Sequence, residues 1–368
     1  MAAVVRARLN RQVMGRLRLA SQGLIGPGFG SAPEAVRSMT AMQAQDLPAS
    51  LWAVGQRVPG SRAADVRSAL DRGGIVRSWP MRGTLHLLAP EDLKWILAIT
   101  SGRVLKSLAG RHRQLDISAA DVDTAAGAAL QRLAGGAAAS RAELFGVFER
   151  AGQSTAGQRG IHLLAALCQE AILVLGPLAG NQQLVVGFDD WIRHSRSLDR
   201  AEGIAEWLLR YFRSHGPATE RDFAWWSGIP LTETRAALAE VCDQLVGLEF
   251  DGRQYWLSPD AAALLDDGVP GQRTVLALPA FDEFLLGYTD RSVVLPAHHS
   301  DKIVPGGNGV FKRTIVAGGQ VVGTWAAAWN SRGAAVVPEP FDAVNGLRPA
   351  ARKSFELQAA KYRRFVGG

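Results

Sequence analysis

Cysteine is nearly absent from this chain: there are two in 368 residues. Cys168 and Cys242 cannot build a disulfide scaffold or a cysteine zinc site. Each falls within an apolar helical pattern, which predicts two buried small hydrophobes in a reducing, cytoplasmic setting. No apolar run approaches the roughly 20 residues needed to cross a bilayer, so no membrane partner is expected. The stretch Met1 to Arg18 has scattered arginines but no continuous apolar core, which argues against a signal peptide. Metal motifs are also missing. His298-His299 with Asp301 has no Cys or Glu spaced to complete a site, and adjacent histidines are expected to point apart. Gly306-Gly307-Asn308-Gly309 lacks the Gly-Lys-Ser/Thr ending of a phosphate loop and reads as a turn.

What is present is an ordinary globular composition, 47% hydrophobic and 20% charged, with a formal net charge of +7. The length calls for two to four units. The positive excess points to an anionic partner, nucleic acid first. Arginine greatly outnumbers lysine, which suits bidentate phosphate contacts, although GC-rich coding also raises arginine.

The third quarter has the clearest local pattern. Ile204, Trp207, Leu208, Tyr211 and Phe212 recur at helical spacing until Gly216-Pro217. Thr219 with Asp222 caps a second helix that runs to Ser227-Gly228, and Leu238, Val241 and Leu245 mark a third. Leu248-Glu249-Phe250 and Tyr255-Trp256-Leu257 then flank Asp251-Gly252, a hairpin signal. Three helices and a hairpin is the winged-helix plan. It recurs upstream as helices over 121–133, 143–151 (with the capping box Ser140-x-x-Glu143) and 161–171. These are followed by strands at 172–175 and 184–186 around Gly180-Asn181. A looser version comes first. It has helical patterns at 9–19, 34–45, 50–56 and 64–70, then strands at 75–77 and 85–88 around Arg82-Gly83.

From Arg273 short strands are expected at 274–278, 292–295, 314–317 and 321–325, closed by a helix over 351–365. The predicted fold is mainly α with β-hairpins, an α+β chain of three tandem winged-helix units plus a small β-rich C-terminal domain. The boundaries fall at 1–110, 111–196, 197–268 and 269–368.

Several blocks resemble the winged-helix DNA glycosylases of the AlkZ/YcaQ type, across almost the whole chain. They are Met42-Gln43-Ala44-Gln45-Asp46, then Arg77-Ser78-Trp79-Pro80-Met81-Arg82-Gly83-Thr84-Leu85-His86, and Leu278-Pro279-Ala280-Phe281-Asp282-Glu283. Tyr288-Thr289-Asp290-Arg291 and Val304-Pro305-Gly306-Gly307-Asn308-Gly309 continue it. The family has a Gln-x-Asp and a Gln-x-Gln branch. Gln43 and Gln45 match the second, whose known member protects an azinomycin producer by unhooking DNA interstrand crosslinks.

The resemblance implies tandem winged helices in a C-shape that hold duplex DNA, and excision of N7-alkylated purines without metal or cofactor. It makes Gln43 and Gln45 the catalytic candidates. It implies double-stranded DNA carrying N7-alkylpurines or crosslinks as partner, with the protein acting as a monomer in the cytoplasm, on the nucleoid. The alternative is a non-catalytic winged-helix regulator.

Glutamine cannot act as a general base at neutral pH, but it donates and accepts hydrogen bonds. An N7-alkylguanine is already cationic and leaves as a neutral base. The protein then needs only to orient a water and stabilise an oxocarbenium-like sugar. Such a pair suits labile cationic lesions and not normal bases. Residues two apart on a helix lie about 200° apart, so a single helix through the motif requires a break near Gln45. Pro48 and an Asp46 N-cap supply one. Asp46 as a water-holding base is the rival reading.

No lysine lies between Met1 and Trp79, which predicts a monofunctional enzyme that leaves abasic sites. Arg77 and Arg82 are DNA-binding candidates at the first wing, with Trp79 expected to plug the core. Lys312 and Arg313 are candidates at the start of a hairpin over 308–325 that would probe the minor groove. Asp290 and Arg291 are expected to form a buried, bracing ion pair.

Overall fold

The computed structural model describes residues 4–5, 9–180, 182–307, 309–330 and 333–367. Asn181 and Asn308, which the sequence places in turns, lie outside the described residues. The chain forms two compact units, one from Met1–Val66 with Ile204–Gly368 and one from Arg67–Gly203. The fold is mixed, with a majority of helix and small sheets.

The unit Arg67–Gly203 follows the expected succession. Helices Ala119–Leu133, Arg141–Arg150 and Arg159–Gln169 precede the antiparallel strands Leu173–Ala179 and Gln182–Gly187. Ser118 and Ser140 each open a helix with a full capping box. Their apolar faces meet in one core containing Leu133, Leu144, Phe148, Leu163, Leu167 and Leu175. A long helix, Pro90–Gln114, follows the hairpin Val76–Met81 and Thr84–Leu88. That hairpin turns at Arg82 (φ 55°) and Gly83 (φ 68°), two positive φ values that match strand twist.

In the other unit, helices Arg200–His215, Glu220–Ser227 and Leu231–Val241 lead to strands Val246–Phe250 and Arg253–Leu257. The turn between the strands is the anticipated Asp251-Gly252, with φ of 52° and 69°. A four-stranded antiparallel sheet follows, with Val275–Leu278 at one edge and Thr314–Ala317 beside it. Gln320–Asn330 comes next and Gly333–Pro340 is the far edge. Pro338 and Pro340 on that outer strand fit an edge that is not extended further. The helix Pro349–Gly367 packs on this sheet. Tyr362 lies edge-on to Trp52 and Trp325 at 5.3 and 5.1 Å.

Several expectations change. The helix expected through Gln45 ends at Met39, and the motif continues as strand Ala41–Gln43. Residues 292–295 form turns rather than a strand, although Val293, Val294 and Leu295 are buried as a strand would have made them. The hairpin expected over 308–325 is shorter and begins at Thr314. The longer hairpin is Gln320–Asn330 with Gly333–Pro340. Asp290 does not brace the interior: it is paired with Arg253 on an accessible surface. Cys168 is buried, but Cys242 sits half-buried in a 3-10 turn. His298 and His299 do not point apart, since their ring centroids are 4.0 Å from each other. Among the described residues no group of three or more His, Cys, Asp or Glu is arranged to hold a metal.

Candidate active site

The motif strand begins at a backbone reversal. Ser31 caps the helix Ala32–Met39, accepting the Glu34 N–H at 3.3 Å. Thr40 then stops it with φ 66° and ψ −54°, an outlier for a β-branched residue. Strain of this kind costs about 1–3 kcal/mol and persists only where the surroundings enforce it. Thr40, Ala41, Met42 and Ala44 are all essentially inaccessible, so packing on both sides of the strand fixes the turn. Gln43 is half-buried and Gln45 exposed. The strand ends at Gln43 and Gln45 lies in the bend before Asp46, where burial alternates so that Met42 and Ala44 face inward and Gln43 and Gln45 are the more accessible.

Asp46 closes the motif as a cap. Its Oδ1 accepts the Ala49 N–H at 3.1 Å and starts the helix Leu47–Arg57 with Pro48 in the first turn. That helix is anchored to the sheet by Trp52 Nε1 and Gln56 Nε2, which both donate to Ala277 O at 2.9 Å. Asp46 and Arg313 both act on the Tyr362 phenol. Burial raises its pKa, Arg313 opposes the rise and Asp46 adds to it. Arg313 lies over the Trp325 ring at 5.2 Å. The fold therefore brings Gln43, Gln45, Asp46 and Arg313 into one neighbourhood. Lys312 lies beside Arg313, its N–H bonded to Ile303 O at 3.0 Å.

Behind the strand is a buried polar web that the sequence reading named only as a block of the resemblance. The Gln43 N–H donates to Glu283 Oε1 at 2.8 Å, and the Trp226 indole donates to Glu283 Oε2 at 2.9 Å. His215 Nε2 is 3.5 Å from the same oxygen, too long for a strong hydrogen bond. Burial pushes His215 below its usual pKa range against the upward pull of Glu283.

The neighbouring Asp282 has a different role. Arg57 forks onto both its oxygens at 2.9 and 3.0 Å, and also donates to Gln22 Oε1 and Ala53 O at 2.8 Å each. Gln22 continues to Tyr288, whose hydroxyl donates to His215 O at 2.7 Å. Arg18 stacks on Tyr288, its guanidinium carbon 3.6 Å from the ring centroid. The local signals for this web were an Asp-Glu pair opening a short apolar helix and arginines within apolar helical faces. Neither reveals which partners meet across more than 200 residues of chain.

Just before Asp282, Phe281 holds φ at 61°, a second outlier beside the motif. Its ring is 6.2 Å from that of Phe311. Arg291 lies between Phe311 and the partly exposed Trp225, at 5.0 and 5.2 Å. A cavity of about 520 Å³ opens among these three side chains. A separate concavity gathers Arg62, Lys361, Arg363 and Arg364, a cluster of positive charge that sequence spacing gave no reason to join.

Within the unit Arg67–Gly203, Arg77 is buried, 9% exposed, with Nη1 3.3 Å from Gln183 Oε1. Arg82 is half-exposed at the hairpin turn, its Nη2 3.3 Å from His86 Nε2. Trp79 is partly buried against the core of that unit, as expected.

The motif strand, its cap and the buried carboxylates lie together, with amide groups and cationic side chains around them. The chain belongs to the family described as DNA glycosylase AlkZ-like, whose family model matches residues 36–365. It is accordingly an enzyme that hydrolyses N-glycosyl bonds in DNA. A curated relative, the interstrand DNA cross-link repair glycosylase of Streptomyces sahachiroi, is 26% identical over 323 residues, spanning 80% of this chain and 82% of its own. The solved structure of the Streptomyces sahachiroi DNA glycosylase AlkZ has the same fold. Its TM-score is 0.81 at 22% identity, covering 98% of this chain and 97% of that one. No helix among the described residues is long and apolar enough to cross a membrane.

Proposed function

We propose that this glycosylase excises N7-alkylated purines from duplex DNA, including those joined in interstrand crosslinks, and leaves an abasic site. Gln43 and Gln45 carry the reaction. Their amide oxygens accept from the attacking water and face the sugar as its positive charge grows, while their amide N–H groups fix orientation. The C1′–N9 bond breaks with its electron pair passing into the purine, which neutralises the alkylated ring. Water oxygen bonds to C1′ and releases its proton to solvent. A cationic leaving group needs no acid, which fits a motif without a carboxylate at position 45.

The observation that carries this reading is the extended strand Ala41–Gln43 running into the Asp46 cap. Burial alternates through the bend that follows, so Gln43 and Gln45 are more accessible than Met42 and Ala44, and Asp46 is occupied with Ala49 N–H. The relative's crosslink-repair name supports the crosslinked substrate. Arg82, Lys312 and Arg313, with Arg62, Arg363 and Arg364, supply phosphate contacts, and Arg77 supports the wing from within. The protein acts as a monomer, in the cytoplasm.

The test is a duplex carrying one N7–N7 interstrand crosslink, incubated with protein and resolved under denaturing conditions. Separation of the strands with an alkali-labile abasic site at the adducted purine is the expected result. Tight binding that leaves the crosslink intact sinks the crosslink assignment, and intact N7-methylguanine as well sinks the N7-alkylpurine assignment.

A further inference from the structure

We propose that the cavity among Trp225, Arg291 and Phe311 receives an unpaired nucleobase, the one that faces the lesion from the opposite strand; this assignment rests on the lesion lying in duplex DNA, as argued above.

The wall of the cavity is made of flat groups. Trp225 is 39% exposed, the only aromatic ring among the exposed large hydrophobic side chains described. The Arg291 guanidinium carbon lies 5.2 Å from the centre of that ring and 5.0 Å from the centre of the Phe311 ring. Its Nε donates to Leu285 O at 2.8 Å, which holds the head group between the two rings. Phe281, with its φ of 61°, packs on Phe311 at 6.2 Å, and backbone held in this region recurs at ligand clamps. The volume of about 520 Å³ is in the range of sites for small ligands.

Charge decides which part of a nucleotide fits. Asp290 and Asp301 line the cavity, with Arg291 as its only cation among the described residues, so a phosphodiester is disfavoured there. The concavity of Arg62, Lys361, Arg363 and Arg364 has no acid among its described residues and suits the backbone instead. Ring faces and a guanidinium plane match an uncharged base, since every base presents a π-face. The cavity also lies close to the motif. Trp226, the residue after Trp225 in helix Glu220–Ser227, donates to Glu283 Oε2, and Glu283 Oε1 accepts the Gln43 N–H. Phe311 is two residues ahead of Arg313, which acts on Tyr362 together with Asp46.

The chemistry of a crosslink selects the base. An interstrand crosslink tethers the adducted purine to the other strand, so that purine cannot be turned fully out of the stack. Its pairing partner carries no tether and can leave. Stacking against Trp225 and Arg291 offsets part of the cost of unstacking it, and its departure leaves the adducted purine unpaired beside the motif.

The test measures coupling between the side chain and the opposite base. Affinity is determined for a duplex with a stable abasic analogue opposite cytosine, one with abasic analogues on both strands at that position, and one undamaged. Wild type is expected to bind the first about tenfold more tightly than the second, the scale of one base stacked on an aromatic side chain. Trp225→Ala is expected to abolish that preference and to change affinity for undamaged duplex by less than about twofold, because the backbone contacts remain. No preference in wild type overturns the proposal, and so does an equal loss on all three duplexes.

If Trp225→Ala does not melt cooperatively, Trp225→Leu decides, because it keeps apolar bulk without a π-face. Loss of the preference in that variant supports the proposal, and its retention overturns it. None of these measurements needs excision. A wild type that leaves N7-methylguanine in place sinks the N7-alkylpurine reading, whereas an active wild type indifferent to the opposite base sinks only the role of the cavity.

Discussion

The two units solve the problem of an interior differently. In Arg67–Gly203 the core is largely aliphatic, with leucines from three helices and a hairpin, and among the described residues its one buried acid is Asp92. Asp92 is answered by Trp95 Nε1 at 3.0 Å and Arg196 Nη1 at 3.2 Å. The other unit buries Arg18, Arg57, Asp222, Asp282, Glu283 and His215 as well as its apolar core. Burying a charge is costly unless it is paired and hydrogen-bonded, so an interior of this kind does not raise stability over an apolar one. Its value is specification. The web holds a short strand in a strained turn and fixes Gln43 from behind. One unit is organised for packing, the other around a buried polar web that holds the motif strand.

Breaking the web should cost most. Arg57→Met leaves Asp282 buried and uncompensated, and should lower unfolding free energy by about 3–5 kcal/mol in a denaturant titration. The corresponding replacement of Arg132, which reaches the exposed Glu143 and, weakly, Ala138 O, should change stability by less than about 1 kcal/mol. Equal losses at the two positions would remove the distinction between the units.

A smaller effect is expected from the cap. Asp46→Ala removes the bond to Ala49 N–H and should cost about 1 kcal/mol, while Asp46→Asn, also a capping residue, should restore most of it. If Asp46→Asn restores stability but abolishes excision, Asp46 is a base and the two-glutamine mechanism is incomplete.

The smallest effect is pH dependence. His215 has a folded pKa below its ordinary value near 6.5, so the unfolded chain binds more protons. Its contribution to stability is fully present above about pH 6.5 and is lost as pH falls through the lower, folded pKa. His112, His162 and His299 are shifted in the same direction and add to the slope. Replacing His215 by Asn should flatten the loss of stability on the acid side of pH 6.5, measured by denaturant midpoint. An unchanged slope would show that His215 is not the buried neutral imidazole described here.

Local chemistry made much of the fold legible. Ser140-x-x-Glu143, Thr219-x-x-Asp222 and Asp251-Gly252 act through neighbours three residues away or fewer, and each appears where the sequence placed it. The motif strand was not legible because Ala35, Val36, Met39 and Met42 continue a helical period. Only tertiary packing around Thr40 ends the helix before Ala41. The partners of Asp282 and Glu283 were out of reach for the same reason: Arg57 and Gln43 lie 225 and 240 residues away in sequence. Arg291, expected to pair with its neighbour, instead lies between two aromatic rings that no local pattern joins to it.

The central claim is that the two amides of the motif suffice for a cationic leaving group. The most direct measurement is single-turnover excision of N7-methylguanine by wild type, Gln43→Ala and Gln45→Ala, with DNA affinity determined in parallel. Each substitution should slow excision by about a hundredfold or more while leaving affinity nearly unchanged. Excision at wild-type rate in either variant, or loss of activity matched by loss of DNA binding, would contradict the account.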